Sequence, residues 1–242
     1  MMLNQAAMSK VSNHRVACVT GGAKRIGRAL VLALHQANYN IIIHYHTSES
    51  EAIELVDYCN AIRPQSAKSV QGDLEDFETL PQLTWRIINS FGRLDCLVHN
   101  ASRFYPTPFG QISQQDWQNL FLTNAQTPLF ISQYLYPYLK ESQGCIISIL
   151  DIHANGKPFG GYTVYNMAKA AHQMMVQSLA IELAPDIRVN GIAPGINILP
   201  MEGTEQALTA ETIEKICHAV PLKRIGTPQD IAQVAVFLAA AP

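Results

Sequence analysis

Residues 15–30 read RVACVTGGAKRIGRAL, an apolar run, then a glycine-bearing turn, then the start of an amphipathic stretch. A strand that breaks at TGGAKRIG (Thr20–Gly27) and opens a helix lets the backbone approach a diphosphate, whose charge then faces the helix N-terminus. Gly21 and Gly27 frame this turn, with Lys24, Arg25 and Ile26 between them. Arg25 stands where the middle glycine of the usual GxGxxG turn is expected. With Lys24 it sets two cations where a phosphate would lie, and both groups pair well with phosphate.

Outward from that turn the same alternation continues. YNIIIHY (39–45), AKSVQGD (67–73), LDCLVHN (94–100), GCIISIL (144–150) and IRVNGIA (187–193) are short, rich in β-branched residues and nearly continuous in apolarity. Such runs fit parallel strands buried on both faces. Helical periodicity occupies residues around 25–37, 49–62, 77–91, 114–140 and 161–184. Alternating β and α segments predict an α/β fold, a Rossmann-type doubly wound parallel sheet with helices on both faces. A single domain over 15–242 follows a short flexible tail at 1–14. The Pro/Gly-containing stretch after the sixth strand, followed by helix-like ALTAETIEKICHAV (207–220), predicts a substrate loop near 194–219.

Composition narrows the function classes. With 242 residues, 48% of them apolar and 15% charged, the chain can build one sizeable core. Its net charge of −2 gives no electrostatic reason to expect nucleic acid or an anionic membrane as partner. The cysteines (Cys18, Cys59, Cys96, Cys145, Cys217) are widely spaced and form no CxxC pair, which fits a reduced cytoplasmic setting and no metal centre. His44 and His46 share a strand face but lack a third ligand. The N-terminus has no signal-like apolar core, and the longest apolar run, VAVFLAAA (234–241), is too short to span a bilayer. A soluble protein handling a small molecule is expected.

The strand ends refine that expectation. NAD-preferring folds place an acid at the end of the second strand, but here HYHTSES offers His46, Thr47 and Ser48. Hydroxyls there, with Lys24 nearby, suit a ribose 2′-phosphate and hence NADP(H). Glu51, three residues after Ser48, reads as part of a capping box that starts the next helix. Asp73 and Leu74 follow the third strand, and Asn100, Ala101 and Ser102 follow the fourth, where an adenine and a ribose would rest.

GGYTVYNMAKAA (160–171) supplies the chemistry. Tyr165 and Lys169 are four residues apart and share one helix face. A free phenol titrates near 10, so a neighbouring cation would make it useful at neutral pH. The series TGGAKRIG, Asp73, NAS, Asn124, Tyr165-x-x-x-Lys169 and VNGIAPG resembles the short-chain dehydrogenase/reductase family over essentially the whole chain. The resemblance implies that Tyr165 is the general acid/base and that Lys169 lowers its pKa and holds the nicotinamide ribose. It further implies that Asn124 positions a water leading to Lys169, that Pro194, Gly195 and Ile196 touch the cofactor, and that the protein is a homotetramer.

One departure from the common pattern is informative. Most members end the fifth strand with a serine about 13 residues before the tyrosine; this chain has Asp151, with Ser148 three residues earlier. An ionised Asp accepts hydrogen bonds and repels a carbonyl oxygen, so it suits a substrate rich in N–H donors or one needing a proton at nitrogen. That substitution, TGGAKRIG, HYHTSES and NASRFYPTP (100–108) resemble the pteridine reductases within the family. The likeness implies that a pterin or folate lies between Phe104 and the nicotinamide, with Arg25, Ser102, Asp151 and Tyr165 around it and Tyr162 as a wall. NADPH would then reduce a C=N bond while Tyr165, paired with Asp151, protonates nitrogen. Two features differ: Thr47 stands where some pteridine reductases have an arginine, and the chain stops at FLAAAP where family members usually continue into a final strand, so six strands are expected. Other readings on the same scaffold are a dihydromonapterin or dihydrofolate reductase and a general carbonyl or 3-oxoacyl reductase. A non-catalytic NADP(H)-binding regulator is the reading of a different class.

Overall fold

The apolar runs become β1 (Val16–Val19), β2 (Asn40–Tyr45), β3 (Ala67–Gln71), β4 (Cys96–His99), β5 (Cys145–Ile149) and β6 (Arg188–Ile192). The computed structural model describes residues 12–197 and 209–241. Every strand pair is parallel, and the order is β3-β2-β1-β4-β5-β6. The topology therefore reverses between β1 and β4, where open α/β sheets bind ligands at the carboxyl ends of their strands.

Helices α1 (Arg25–Gln36), α2 (Glu49–Ile62), α3 (Leu80–Phe91), α4 (Gln114–Phe121), α5 (Thr127–Glu141), α6 (Thr163–Glu182), α7 (Ala210–Ala219) and α8 (Pro228–Ala240) fill the connections. Side chains alternate across the sheet with a period of two. Ala17, Val19, Ile41 and Ile43 pack with α1, α2 and α8 in one core. Val16, Cys18 and Ile42 pack with α3, α5 and α6 in the other. The two layers are the doubly wound arrangement expected from the alternation.

Several details depart from the sequence reading. β3 and β6 are edge strands and expose part of their length, so they are not buried on both faces as the central strands are. The single helix expected over 114–140 is split by a π-helical turn, Leu122–Gln126. Pro128 follows this turn and has no N–H to give the carbonyl of Asn124, four residues earlier, so one α-type bond is missing there. The expected capping box at Ser48 is absent, since the Ser48 side chain makes no capping bond. Such boxes form instead at Ser113–Asp116 and Thr227–Asp230.

Within the expected N-terminal tail, residues 1–11 lie outside the described residues. Ser12 is docked: its N–H donates to the Phe91 carbonyl at 3.0 Å, and its hydroxyl accepts from Asn40 Nδ2 at 2.9 Å. In the expected substrate loop, 194–197 and 209–219 are described and end in α7, while 198–208 lie outside the described residues.

Candidate active site

The first strand-to-helix turn is built for close approach. Gly21 sits at φ +60°, a left-handed conformation open to glycine without steric cost, and a Cβ on Gly27 would stand 2.1 Å from the Gly21 carbonyl oxygen. Arg25 itself takes φ 51°, in the left-handed region that favours glycine. Thr20 ties the turn to the neighbouring strand. Its hydroxyl donates to the Val98 carbonyl at 3.3 Å and accepts from the backbone N–H groups of Asn100 and Ala101. Asn100 Nδ2 then donates to the carbonyls of Thr20 and Gly21 at 2.9 and 3.0 Å. Asn100 thus serves as a brace for the turn.

His44 is a second brace that the sequence reading considered only as a metal ligand. Its Nδ1 accepts from the Gly21 N–H at 3.2 Å, so Nε2 carries the hydrogen and donates to the Gly72 carbonyl at 3.1 Å. Burial lowers its pKa to about 4, which keeps the ring neutral and this tautomer fixed. Beyond β2, His46 Nε2 lies 3.7 Å from Asp73 Oδ2. Lys24, expected near a ribose phosphate, forms an ion pair with Glu51 at 2.7 Å.

The reactive end lies at the carboxyl ends of β4 and β5. Tyr165 donates its phenol hydrogen to Asp151 Oδ2 at 2.7 Å, and Asp151 Oδ1 accepts from the His153 N–H at 2.9 Å. The carboxylate is therefore fixed on both oxygens. Burial and the adjacent Asp151 charge push the Tyr165 pKa well above its usual value, and the Ser102 hydroxyl offsets this only in part. Lys169 is buried, donates to the Ile149 carbonyl at 2.9 Å, and has its pKa lowered to about 8 by desolvation. Its Nζ lies 5.9 Å from the Tyr165 ring centre, and the carboxylate is the charge in contact with the hydroxyl.

Asn124 is fully buried in the π-turn, and its carboxamide is spent on protein partners. Oδ1 accepts from the Ser102 hydroxyl at 2.6 Å, while Nδ2 donates to the carbonyls of Arg103 and Leu120 at 2.9 and 3.0 Å. It holds the segment after β4 over the site. In the same segment Phe104 stacks on Tyr162, with centroids 4.5 Å apart and planes 11° from parallel, and meets Tyr165 edge-on at 4.8 Å. Thr107, which sequence reasoning missed, pins this aromatic group. Its N–H donates to the Gly161 carbonyl at 2.7 Å, and its hydroxyl accepts from the Val164 N–H at 3.3 Å. Residues 194–196 lie alongside, since the Pro194 carbonyl accepts from the Ile152 N–H at 3.3 Å and the Ile196 carbonyl from the Gly226 N–H at 2.9 Å.

The tight Gly21–Gly27 cradle, the cations Lys24 and Arg25, and polar groups at each successive strand end form a donor set that fits a dinucleotide. Tyr165, Asp151, Lys169, Ser102 and Phe104 converge at its other end.

Comparison with known proteins bears on this arrangement. The family profile described as Enoyl-(Acyl carrier protein) reductase matches residues 21–241. Pteridine reductase 1 of Leishmania tarentolae is 34% identical over an alignment of 262 positions, covering 92% of this chain and 89% of that protein. An uncharacterized oxidoreductase of Mycobacterium tuberculosis, MT0954, is 32% identical over 94% of this chain and 86% of its own length. Hydroxynaphthalene reductase arp2 of Aspergillus fumigatus is 30% identical over 93% of this chain and 85% of its own.

Proposed function

This chain belongs to the short-chain dehydrogenase/reductase family, and from that premise we propose that it is an NADPH-dependent reductase of pterins that hydrogenates a C=N bond of an oxidised or dihydro-pterin, or of dihydrofolate. The observation that carries this reading is the hydrogen bond between Tyr165 and Asp151 at the foot of the Phe104 ring. A carboxylate beside the acid disfavours an approaching carbonyl oxygen and favours a ring bearing N–H donors. The similarity to a pteridine reductase supports the same choice.

In this reading Gly21, Arg25, Ile26 and Gly27 hold the cofactor diphosphate, and Lys24, His46, Thr47 and Ser48 lie at the 2′-phosphate end. Asp73 and Leu74 meet the adenine. Asn100, Ala101 and Ser102 line the middle, and Pro194, Gly195 and Ile196 border the nicotinamide. When bound, the cofactor supplies a hydride to the C=N carbon. Phe104, which is 55% exposed, offers a flat face for a bicyclic ring. Arg25 and Ser102 orient the pterin edge. Tyr165 gives its proton to the ring nitrogen; a phenol whose pKa is raised by burial and Asp151 stays protonated at neutral pH and is a donor, not a base. Lys169 supplies the cation for the ribose hydroxyls. A soluble, cytoplasmic homotetramer completes the reading, with the mostly apolar circumference of α6 as a candidate contact.

The test compares NADPH oxidation with dihydrobiopterin, dihydromonapterin, dihydrofolate and a simple ketone. Turnover of the pterins over the ketone is expected, and their relative rates rank the substrates. Turnover of the ketone alone would replace this reading with a general carbonyl reductase.

A further inference from the structure

Lys24, the cation read as serving the end of β2, is engaged. Its Nζ lies 2.7 Å from Glu51 Oε1, and the two side chains are 52% and 39% exposed. Glu51 Oε2 also accepts from the Ser50 hydroxyl at 3.1 Å. Among the described residues Lys24 has no other ion-pair partner, and the Ser48 side chain leaves the start of α2 uncapped. Of the other acids nearby, Asp73 faces His46 and Glu54 pairs with Arg28.

We propose that Glu51 is a selectivity residue that works against the phosphorylated cofactor: its carboxylate holds Lys24 and must release it before a ribose-bound phosphate can use that cation. The inference rests on the reading that this strand end takes the 2′-phosphate. A phosphate dianion carries more charge than the carboxylate, so it displaces Glu51 at an exposed site, but the displacement subtracts from its affinity. An unphosphorylated ribose competes for nothing there. Because both side chains are half-exposed on the surface, their exchange does not require the fold to change.

The experiment measures calorimetric binding of adenosine 2′,5′-bisphosphate and of adenosine 5′-monophosphate, which probe the ribose end without the nicotinamide. Wild type, Glu51→Gln, Lys24→Gln and the double variant are compared, with thermal unfolding as the control for folding. Glu51→Gln is expected to tighten the bisphosphate roughly two- to fivefold and leave the monophosphate unchanged. That gain shrinks as salt is added, because exposed charges are screened. Lys24→Gln weakens the bisphosphate, and in its background the Glu51 change loses most of its effect. An unchanged bisphosphate affinity in Glu51→Gln overturns the inference. So does an equal gain with and without Lys24, which would mean general repulsion instead of release of the lysine. If wild type binds the two probes equally, the 2′-phosphate reading falls, and this inference with it.

Discussion

Tyr165 and Asp151 share one hydrogen across 2.7 Å, and the carboxylate is held from its far side by the His153 N–H. A proton donor in that setting needs its hydroxyl, so Tyr165→Phe is expected to lower kcat at least about 100-fold while NADPH binding, followed by calorimetry, persists. A variant that neither turns over nor binds would point to a folding defect, and one that keeps its rate would remove Tyr165 from the proton path. Asp151→Ser exchanges an acceptor-only group for a hydroxyl donor. It is expected to lower kcat/KM for pterins by about 10- to 100-fold and to raise the ketone-to-pterin ratio, read from the same NADPH assay. The types and spacing of Tyr165, Lys169 and Asp151 were legible in the sequence. The contact partners were not: Lys169 reaches the Ile149 carbonyl and Asn124 reaches Ser102, because a side chain's partner depends on which backbone groups the fold brings within about 3 Å.

Among the elements, the turn from β1 into α1 shows a conflict between local stability and ligand handling. Arg25 holds φ 51°, where a side chain is strained and glycine is not. Arg25→Gly is therefore expected to leave stability unchanged or raise it by up to about 1 kcal/mol, while weakening dinucleotide or substrate binding. Denaturant unfolding and calorimetry on the same variant check both halves, and a clear loss of stability would contradict the strain argument. The α4–α5 region teaches a different lesson. Pro128 lies in plain sight in NAQTP, where its missing N–H removes one helical bond next to the π-turn, while Pro137 sits inside α5 without interrupting it. Apolar periodicity runs through the break, so a reading based on period alone joins the two helices. Ser48 and Glu51 show the reverse error, a capping pattern in sequence whose acid finds a cation on another element.

Across the whole molecule, buried neutral histidines bind strands and helices together. His44 bridges the cofactor turn and β3; His99 bonds Ser132 at 2.8 Å, and His172 bonds Ser148 at 3.0 Å. Desolvation lowers the pKa of His44 to about 4 and of His99 to about 3, and it also lowers that of His172. In the unfolded chain each titrates near 6.5, so unfolding takes up protons below that pH. Their contribution to stability is complete above about pH 6.5 and is lost as the pH falls toward 4. The unfolding midpoint of the ligand-free protein is expected to drop steadily over that window, and His172→Leu to drop less. A flat profile between pH 7 and 5 would contradict this account.

The sequence by itself determined the order of strands and helices, the glycine cradle, and the Tyr165–Lys169 pair on one helical face. These follow from periods of two and 3.6 and from local backbone geometry, which neighbouring residues dictate. Only the tertiary structure decided that Lys169 reaches the Ile149 carbonyl, that Phe104 lies on Tyr162, and that Glu51 holds Lys24. Each joins residues on different elements, and their separation is set by how those elements pack across the carboxyl edge of the sheet.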